Sequence, residues 1–362
     1  MTDVISPTEA KAVNPLLANL QRREIPSLFG LRGIAALTVV LFHSIQTLHA
    51  WNWVRWFPGD EAVALFFELS GLLITWLLLK EKDNTGSIHL KKFYERRVLR
   101  LFPAFYVMWF LCLAIPNVEG RWWTFFYLQD VSTIFPLDTT GVGLFGIAWS
   151  LGVEEKFYLV WPWILRKLDN PRLPAILIAL GALDQVYRYL ISFTGNYYWS
   201  GYGFDTHLDG LLFGVALAIA ARNGWRPWGW LLNPITLIAS LAAVELMPVF
   251  VKWPQTVVWG TAFCAYPLLA ILIYVIAKPP KVLNNPIAKF LGAISYSLYL
   301  FHPLVIYLLG KVHFPQWRYQ ILTMVCLSIL AATASYYCVE KPFLKLKDKL
   351  HPRKKSMAVA AS

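Results

Sequence analysis

The chain has 362 residues, of which 57% are hydrophobic and only 15% charged, with 17 tryptophans among them. A water-soluble domain of that length needs far more polar surface, so the composition excludes a soluble enzyme and specifies an all-α, polytopic membrane bundle. The net charge of +12 comes with no aromatic-basic binding module, so nucleic acid is not an expected partner; the charge suits membrane lipids or an anionic cytosolic ligand.

Hydropathy marks about ten spans, near residues 28–49, 61–80, 101–116, 147–166, 174–193, 207–221, 230–247, 256–277, 287–309 and 319–338. With the N-terminus inside, the inner segments hold 25 Lys and Arg and the outer ones five: Arg55, Arg121, Lys252, Lys311 and Arg318. That asymmetry predicts that both termini are cytoplasmic. Residues 1–25 are expected to be a disordered cytoplasmic tail, 26–345 the membrane domain, and 346–362 a basic cytoplasmic tail. The first span should be a retained anchor, because no cleavage site follows an apolar core. Multi-pass insertion places the protein in a cell membrane, either a plasma membrane or a bacterial inner membrane. The four cysteines, all in apolar spans, lack metal-ligand or redox spacing and are expected to be small buried hydrophobes; no metal site is expected.

The first span carries Arg32 and His43, eleven residues apart. At ~100° and ~1.5 Å per residue they fall within about 20° of each other around the helix and about 16 Å apart along it. Ionisable groups inside a span are costly and are therefore functional candidates. The bland alternative is that Arg32 snorkels to headgroups and His43 is satisfied by a neighbouring helix. Trp51, Trp53 and Trp56 in the next loop form an interfacial belt. In the second span, Ser70 and Gly71 are read as a close-packing site, and Glu68 must face a partner or a wet cavity.

Arg96, Arg97 and Arg100 crowd one side of the inner segment before Pro103. Crowded guanidinium groups favour an anion, and their fork geometry suits phosphate; the competing reading is a positive-inside signal touching lipid. The outer run Arg121–Leu128 reads as interfacial or re-entrant. The fourth span carries Ser150, Glu154, Glu155 and Lys156, and adjacent carboxylates inside a span are hard to explain as packing. One of the two glutamates is expected to face His43 and to support its charged form. Asp184 and Arg188, four apart on the fifth span, are read as an internal ion pair. Asp209 starts the sixth span, where it either reaches a polar acceptor molecule or caps the helix. The ninth span carries a polar ring of Ser295, Tyr296, Ser297 and Tyr299, with His302 beside Pro303. Glu340-Lys341-Pro342 closes the last span.

In this order and spacing, these motifs resemble the acyltransferase-3 family of integral-membrane O-acyltransferases over residues 26–345. The matching features are Arg32 with His43; Leu65-Phe66-Phe67 before Leu69-Ser70-Gly71; Arg96-Arg97 and Arg100; Trp149-Ser150-Leu151 with Glu154-Glu155; Leu208-Asp209 before Gly214; Ser295 to Tyr299 with His302; and Glu340-Lys341-Pro342. The resemblance implies transfer of an acyl group, often acetyl, from coenzyme A to a hydroxyl, commonly on a surface glycan or glycolipid. It also implies that His43 and Arg32 are essential, that Arg97 to Arg100 helps hold the donor, and that Glu340 matters. The chain departs from the family at Glu61-Ala62-Val63-Ala64, where an acidic residue usually precedes the Leu-Phe-Phe motif, and at His207, where Arg is common. Both departures bear on the acceptor. A stand-alone membrane domain is expected.

The expected function is therefore acyl-CoA-dependent O-acylation of a carbohydrate. His43, Glu154, Glu155 and Glu340 are the catalytic candidates, Arg32, Arg97 and Arg100 the acyl-CoA ligands, and Asp209, Tyr296 and His302 the acceptor-binding candidates. A transporter of a glycan or anionic solute is the alternative, although no inverted repeat is evident. A structural subunit of an envelope-glycan complex is a third possibility.

Overall fold

The computed structural model describes residues 14–22, 24–49, 51–54, 56–116, 120–134, 144–168, 170–250 and 260–351. Arg55, Lys252 and the basic residues after His351 lie outside the described residues. Every regular element among the described residues is helical. Ten helices have fifteen residues or more: α1 (Pro26–Thr47), α2 (Gly59–Thr85), α3 (Leu90–Leu113), α4 (Ala148–Lys167), α5 (Leu173–Ser192), α6 (Leu208–Arg222), α7 (Pro234–Phe250), α8 (Thr261–Ala277), α9 (Pro286–Gly310) and α10 (Trp317–Ser335). Each coincides with one of the predicted spans.

Five helices are long and apolar enough to cross a membrane: α1, α2, α5, α9 and the rod from Trp317 to Leu350, in which α10 continues through a π-helical stretch, Tyr336–Glu340, into Lys341–Leu350. The others fall short for two physical reasons. Helices α6, α7 and α8 have 15, 17 and 17 residues, or about 23–26 Å at ~1.5 Å per residue against a ~30 Å hydrocarbon slab. Helices α3 and α4 are long enough but carry the charges of the candidate site. Outward-facing side chains on α5 and α10, such as Leu183, Leu190, Leu322 and Leu330, are more than half exposed. Such a surface suits hydrocarbon and not water.

Two glycine crossings set the central packing. Helices α1 and α9 approach so closely that a Cβ on Gly33 would lie 2.8 Å from the backbone nitrogen of Gly292, and a Cβ on Gly292 would meet the carbonyl of Phe29. In the same way, α2 meets α6 through Gly71 against Leu211 and Gly214 against Glu68. Small residues are what permit backbones to approach this closely in a membrane bundle.

The structure corrects several expectations. Pro15–Gln21, placed in a disordered tail, forms a helix capped by Asn14. Leu16 and Leu20, spaced four apart, are buried, and the Trp76 indole donates to the Leu20 carbonyl at 2.7 Å. Cys112 and Cys264 are buried as expected, but Cys326 and Cys338 are exposed on the rod's outer face. Glu68 is fully buried, and neither carboxylate oxygen finds a hydrogen-bond partner among the described residues. The outer run after Gly120 folds inward as two short helices, Arg121–Phe125 and Gln129–Ser132. It buries Asp130, whose carboxylate holds Lys156 at 2.7 Å.

Candidate active site

A cavity of about 360 Å³ lies among α1, α2, α3, α4 and α9. Its basic end is formed by Arg22, Arg32, Lys80, Arg97 and Arg100, and its inner end by Ser150, Glu154 and Tyr299. The basic end gathers the N-terminal parts of α1, α3 and α9 with the C-terminal part of α2. The sequence thus brings Arg32 and the α3 arginines together from positions 65 or more residues apart.

Among the described residues, none of the Arg32, Arg97 and Arg100 guanidinium groups hydrogen-bonds to another side chain or carbonyl. All three are half-buried. The Arg97 guanidinium carbon instead lies over the Tyr158 ring, 4.4 Å from its centre. A cation–π contact of this kind holds a guanidinium without using its N–H donors. Half-buried donors without acceptors are poorly satisfied by protein alone and are arranged to take an anion. Arg96 does not line the cavity.

Glu154 forms the acidic floor of this basic end. Ser70 Oγ donates to its Oε1 at 2.6 Å and the Tyr158 hydroxyl to its Oε2 at 3.1 Å. Its electrostatic partners are Arg97 and Arg32. Ser70, expected to serve packing, is thus a ligand of the carboxylate, while Gly71 alone serves the crossing. Glu155 turns to another face, within electrostatic range of Arg97 and Lys156. Neither glutamate hydrogen-bonds to His43, so the support expected from them for that imidazole is not made. Ser70 and Tyr158 draw Glu154 towards the arginines instead. Glu340 accepts from Ser297, whose hydroxyl lies 2.8 Å from that of Ser335. It faces Arg100 and Arg32 electrostatically. The π-helical stretch ends at Glu340, and such irregular turns re-aim a side chain.

His43 is paired with His302. Nδ1 of His43 lies 3.0 Å from Nε2 of His302, with the rings stacked at 5.2 Å. His302 is fully buried, and its Nδ1 lies 3.2 Å from the Leu298 carbonyl. His43 does not line the cavity. The Tyr299 ring stands at the junction, 5.8 Å from the His302 ring and 6.1 Å from that of Phe66. Its hydroxyl lies 2.6 Å from Ser150 Oγ. The cavity leaves α1 at Arg32 and is lined farther in by α2, α4 and α9, with Tyr299 between it and the imidazole pair.

Of the acceptor-binding candidates, Tyr296 lines the cavity and donates to the Leu101 carbonyl at 2.8 Å. His302 is the His43 partner. Asp209 is committed elsewhere: it accepts from Arg188 Nη2 at 2.7 Å and from Gln185 Nε2 at 3.1 Å. Asp184 joins the same arginine at 3.6 Å, and the Arg188 Nε donates to the Thr206 carbonyl. The ion pair expected between Asp184 and Arg188 is present, but Asp209 is its stronger member. Among the described residues no group of side chains could hold a metal ion.

A family model described as an acyltransferase domain matches residues 25–340. The chain belongs to the acyltransferase-3 family. Similar proteins include the peptidoglycan O-acetyltransferase OatA of Listeria monocytogenes, 30% identical over 373 residues that cover 90% of this chain and 56% of that one. A Staphylococcus aureus (strain COL) protein, provisionally named an O-acetyltransferase, is 31% identical over 378 residues, covering 89% of this chain and 58% of its own. YrhL of Bacillus subtilis, provisionally named a peptidoglycan O-acetyltransferase, is 29% identical, with 88% and 55% covered. The chain thus spans a little over half the length of these relatives. No solved structure matches it. The family match contains Arg32, His43, Glu154, His302 and Glu340, so every candidate residue around the cavity and the imidazole pair lies within it.

Proposed function

We propose that the protein is an integral-membrane O-acyltransferase that moves an acyl group, acetyl in the simplest case, from acyl-CoA to a carbohydrate hydroxyl. The observation that carries this reading is the set of three half-buried guanidinium groups, Arg32, Arg97 and Arg100, with no protein acceptors among the described residues, at one end of a cavity whose other end is closed by Tyr299, next to His302. In this reading all ten long helices sit in a cell membrane with both termini cytoplasmic, the orientation that the distribution of basic residues favours. The membrane domain extends over residues 26–345.

The anionic part of coenzyme A binds the arginines at the cytoplasmic end, and its acyl arm follows α1 inward. The rise of about 16 Å from Arg32 to His43 matches an extended pantetheine arm. Glu154 and Glu340 hold the arginines in place electrostatically. For the thioester to meet His43, the Tyr299 ring moves aside from its bond to Ser150. His43 then takes the proton of the acceptor hydroxyl as the oxygen attacks the thioester carbonyl. The carbon–sulfur bond breaks, and the proton passes from the imidazolium to the departing thiolate. The acceptor enters from the outer side. Peptidoglycan, named for two of the relatives, belongs to the expected class of acceptor.

Purified protein in lipid vesicles, given radiolabelled acetyl-CoA and an extracted glycan or glycolipid pool, should transfer label to carbohydrate. His43→Ala should abolish that transfer; persistence of transfer in this variant removes His43 from the chemistry. Charge reversal at Arg97 and Arg100 should raise the donor KM by about 10- to 100-fold each, the range for one lost charge-assisted hydrogen bond. An unchanged KM removes them from the donor site.

A further inference from the structure

We infer that His302 is a positioning residue that fixes the tautomer of His43, leaving His43 Nε2 bare as the proton-accepting atom. This rests on the acyltransferase reading above for its catalytic meaning, but the tautomer itself does not. The inference follows from donor and acceptor bookkeeping along a three-member chain. The Leu298 carbonyl can only accept, so Nδ1 of His302, 3.2 Å away, carries the proton. A neutral imidazole holds one N–H, so Nε2 of His302 is an acceptor. That nitrogen lies 3.0 Å from Nδ1 of His43, which must therefore be the donor. The Val39 carbonyl, one turn before His43 as Leu298 is before His302, also faces this imidazole and can only accept, which favours the same proton on Nδ1 and leaves the lone pair of His43 Nε2 free.

The competing arrangements are worse on the same geometry. If Nε2 of His302 carried the proton, its Nδ1 would present a lone pair to the Leu298 carbonyl lone pairs in a site sealed from water. If His302 were doubly protonated, its charge would be fully buried against the Leu298 and Tyr299 backbone and a second imidazole, none of them a counter-ion. The helix supplies the register. His302 follows Leu298 by four residues on α9, so its Nδ1 reaches back to a carbonyl of its own helix, and its other nitrogen crosses to α1. The crossing is close because Gly33 and Gly292 bring α1 and α9 together. When His43 takes a proton on Nε2, its Nδ1–H bond to His302 is kept, so the ring does not have to turn during the reaction.

The test reads the tautomer directly. Full-length protein labelled with 15N-histidine, in lipid bilayers, should show His43 protonated at Nδ1 and bare at Nε2, the resonance being assigned by its loss in His43→Ala. Protonation at Nε2 instead overturns the proposal. His302→Phe removes the acceptor; it should mix the His43 tautomers and lower kcat by about 10²- to 10⁴-fold, the span of a general base or of a wrong tautomer, with the donor KM changed less than about twofold. His302→Gln places an amide oxygen near the lost Nε2 and should restore most of both the tautomer and kcat. A His43 tautomer or a kcat unchanged in His302→Phe overturns the proposal. If wild-type protein transfers no acyl group, the enzymatic reading fails, and the spectrum of the wild-type protein still decides the tautomer.

Discussion

Asp209→Asn separates two roles for one carboxylate, binding an acceptor or holding the fold. The structure shows Asp209 Oδ1 2.7 Å from Arg188 Nη2, and Oδ2 accepting from Gln185 at 3.1 Å. Arg188 is fully buried, and Asp209 is 5% exposed. Breaking a buried ion pair costs about 3–5 kcal/mol, because the surviving charge stays in low dielectric. Arg188 keeps Asp184 at 3.6 Å and its bonds to Thr206 and Thr261, so the lower end, about 3 kcal/mol, applies to Asp209→Asn. For a chain of 362 residues, at about 1.3 °C per kcal/mol, the thermal midpoint should fall by roughly 4 °C. Arg188→Met should cost more, since it strands two carboxylates. Heating purified protein in detergent and following the folded fraction by size exclusion gives the midpoints, and a double-mutant cycle between the two changes should yield a coupling of about 2–3 kcal/mol. A midpoint for Asp209→Asn within about 1 °C of wild type, or a coupling near zero, would refute the structural assignment. A raised acceptor KM alongside an unchanged midpoint would return Asp209 to the acceptor site.

Glu68 should be replaceable at no loss: Glu68→Leu removes a fully buried carboxylate without described partners, so stability should rise by about 1–3 kcal/mol. A thermal midpoint below wild type would show that the carboxylate has a partner. Gly292→Leu drives a side chain into the Phe29 carbonyl, and overpacking against backbone should cost at least about 3 kcal/mol, the upper end for cores; folded yield measures it, and a normal yield would contradict the observed crossing. Lys156→Met strands Asp130, which is 0% exposed, at a cost of about 3–5 kcal/mol. Asp130→Asn in the same protein should recover most of that stability.

Several features were legible from the chain alone because each depends on local composition or periodicity. The apolar runs specify helices whatever surrounds them, so the ten segments coincide with ten long helices. Arg32 and His43 lie on one continuous helix, as the spacing implies, although only Arg32 lines the cavity, and the order of the motifs is enough to identify the family. The short helix at Pro15–Gln21 is not legible in the same way, because the polar average of residues 1–25 conceals the apolar pair Leu16 and Leu20 at i, i+4.

The pairing of charges was decided only in three dimensions. Glu154 and Glu155 are neighbours in sequence, yet the first turns to Ser70, Tyr158 and the arginines while the second faces another side, because adjacent helical positions point about 100° apart. Lys156 finds Asp130 across an inward-folded loop, and Asp209 finds Arg188 from another helix. His43 finds an imidazole where a carboxylate was expected. A lone sequence records which helices carry polar groups, but their partners depend on which helices touch and in what rotation. Here the glycine crossings of α1 with α9 and of α2 with α6 set that contact.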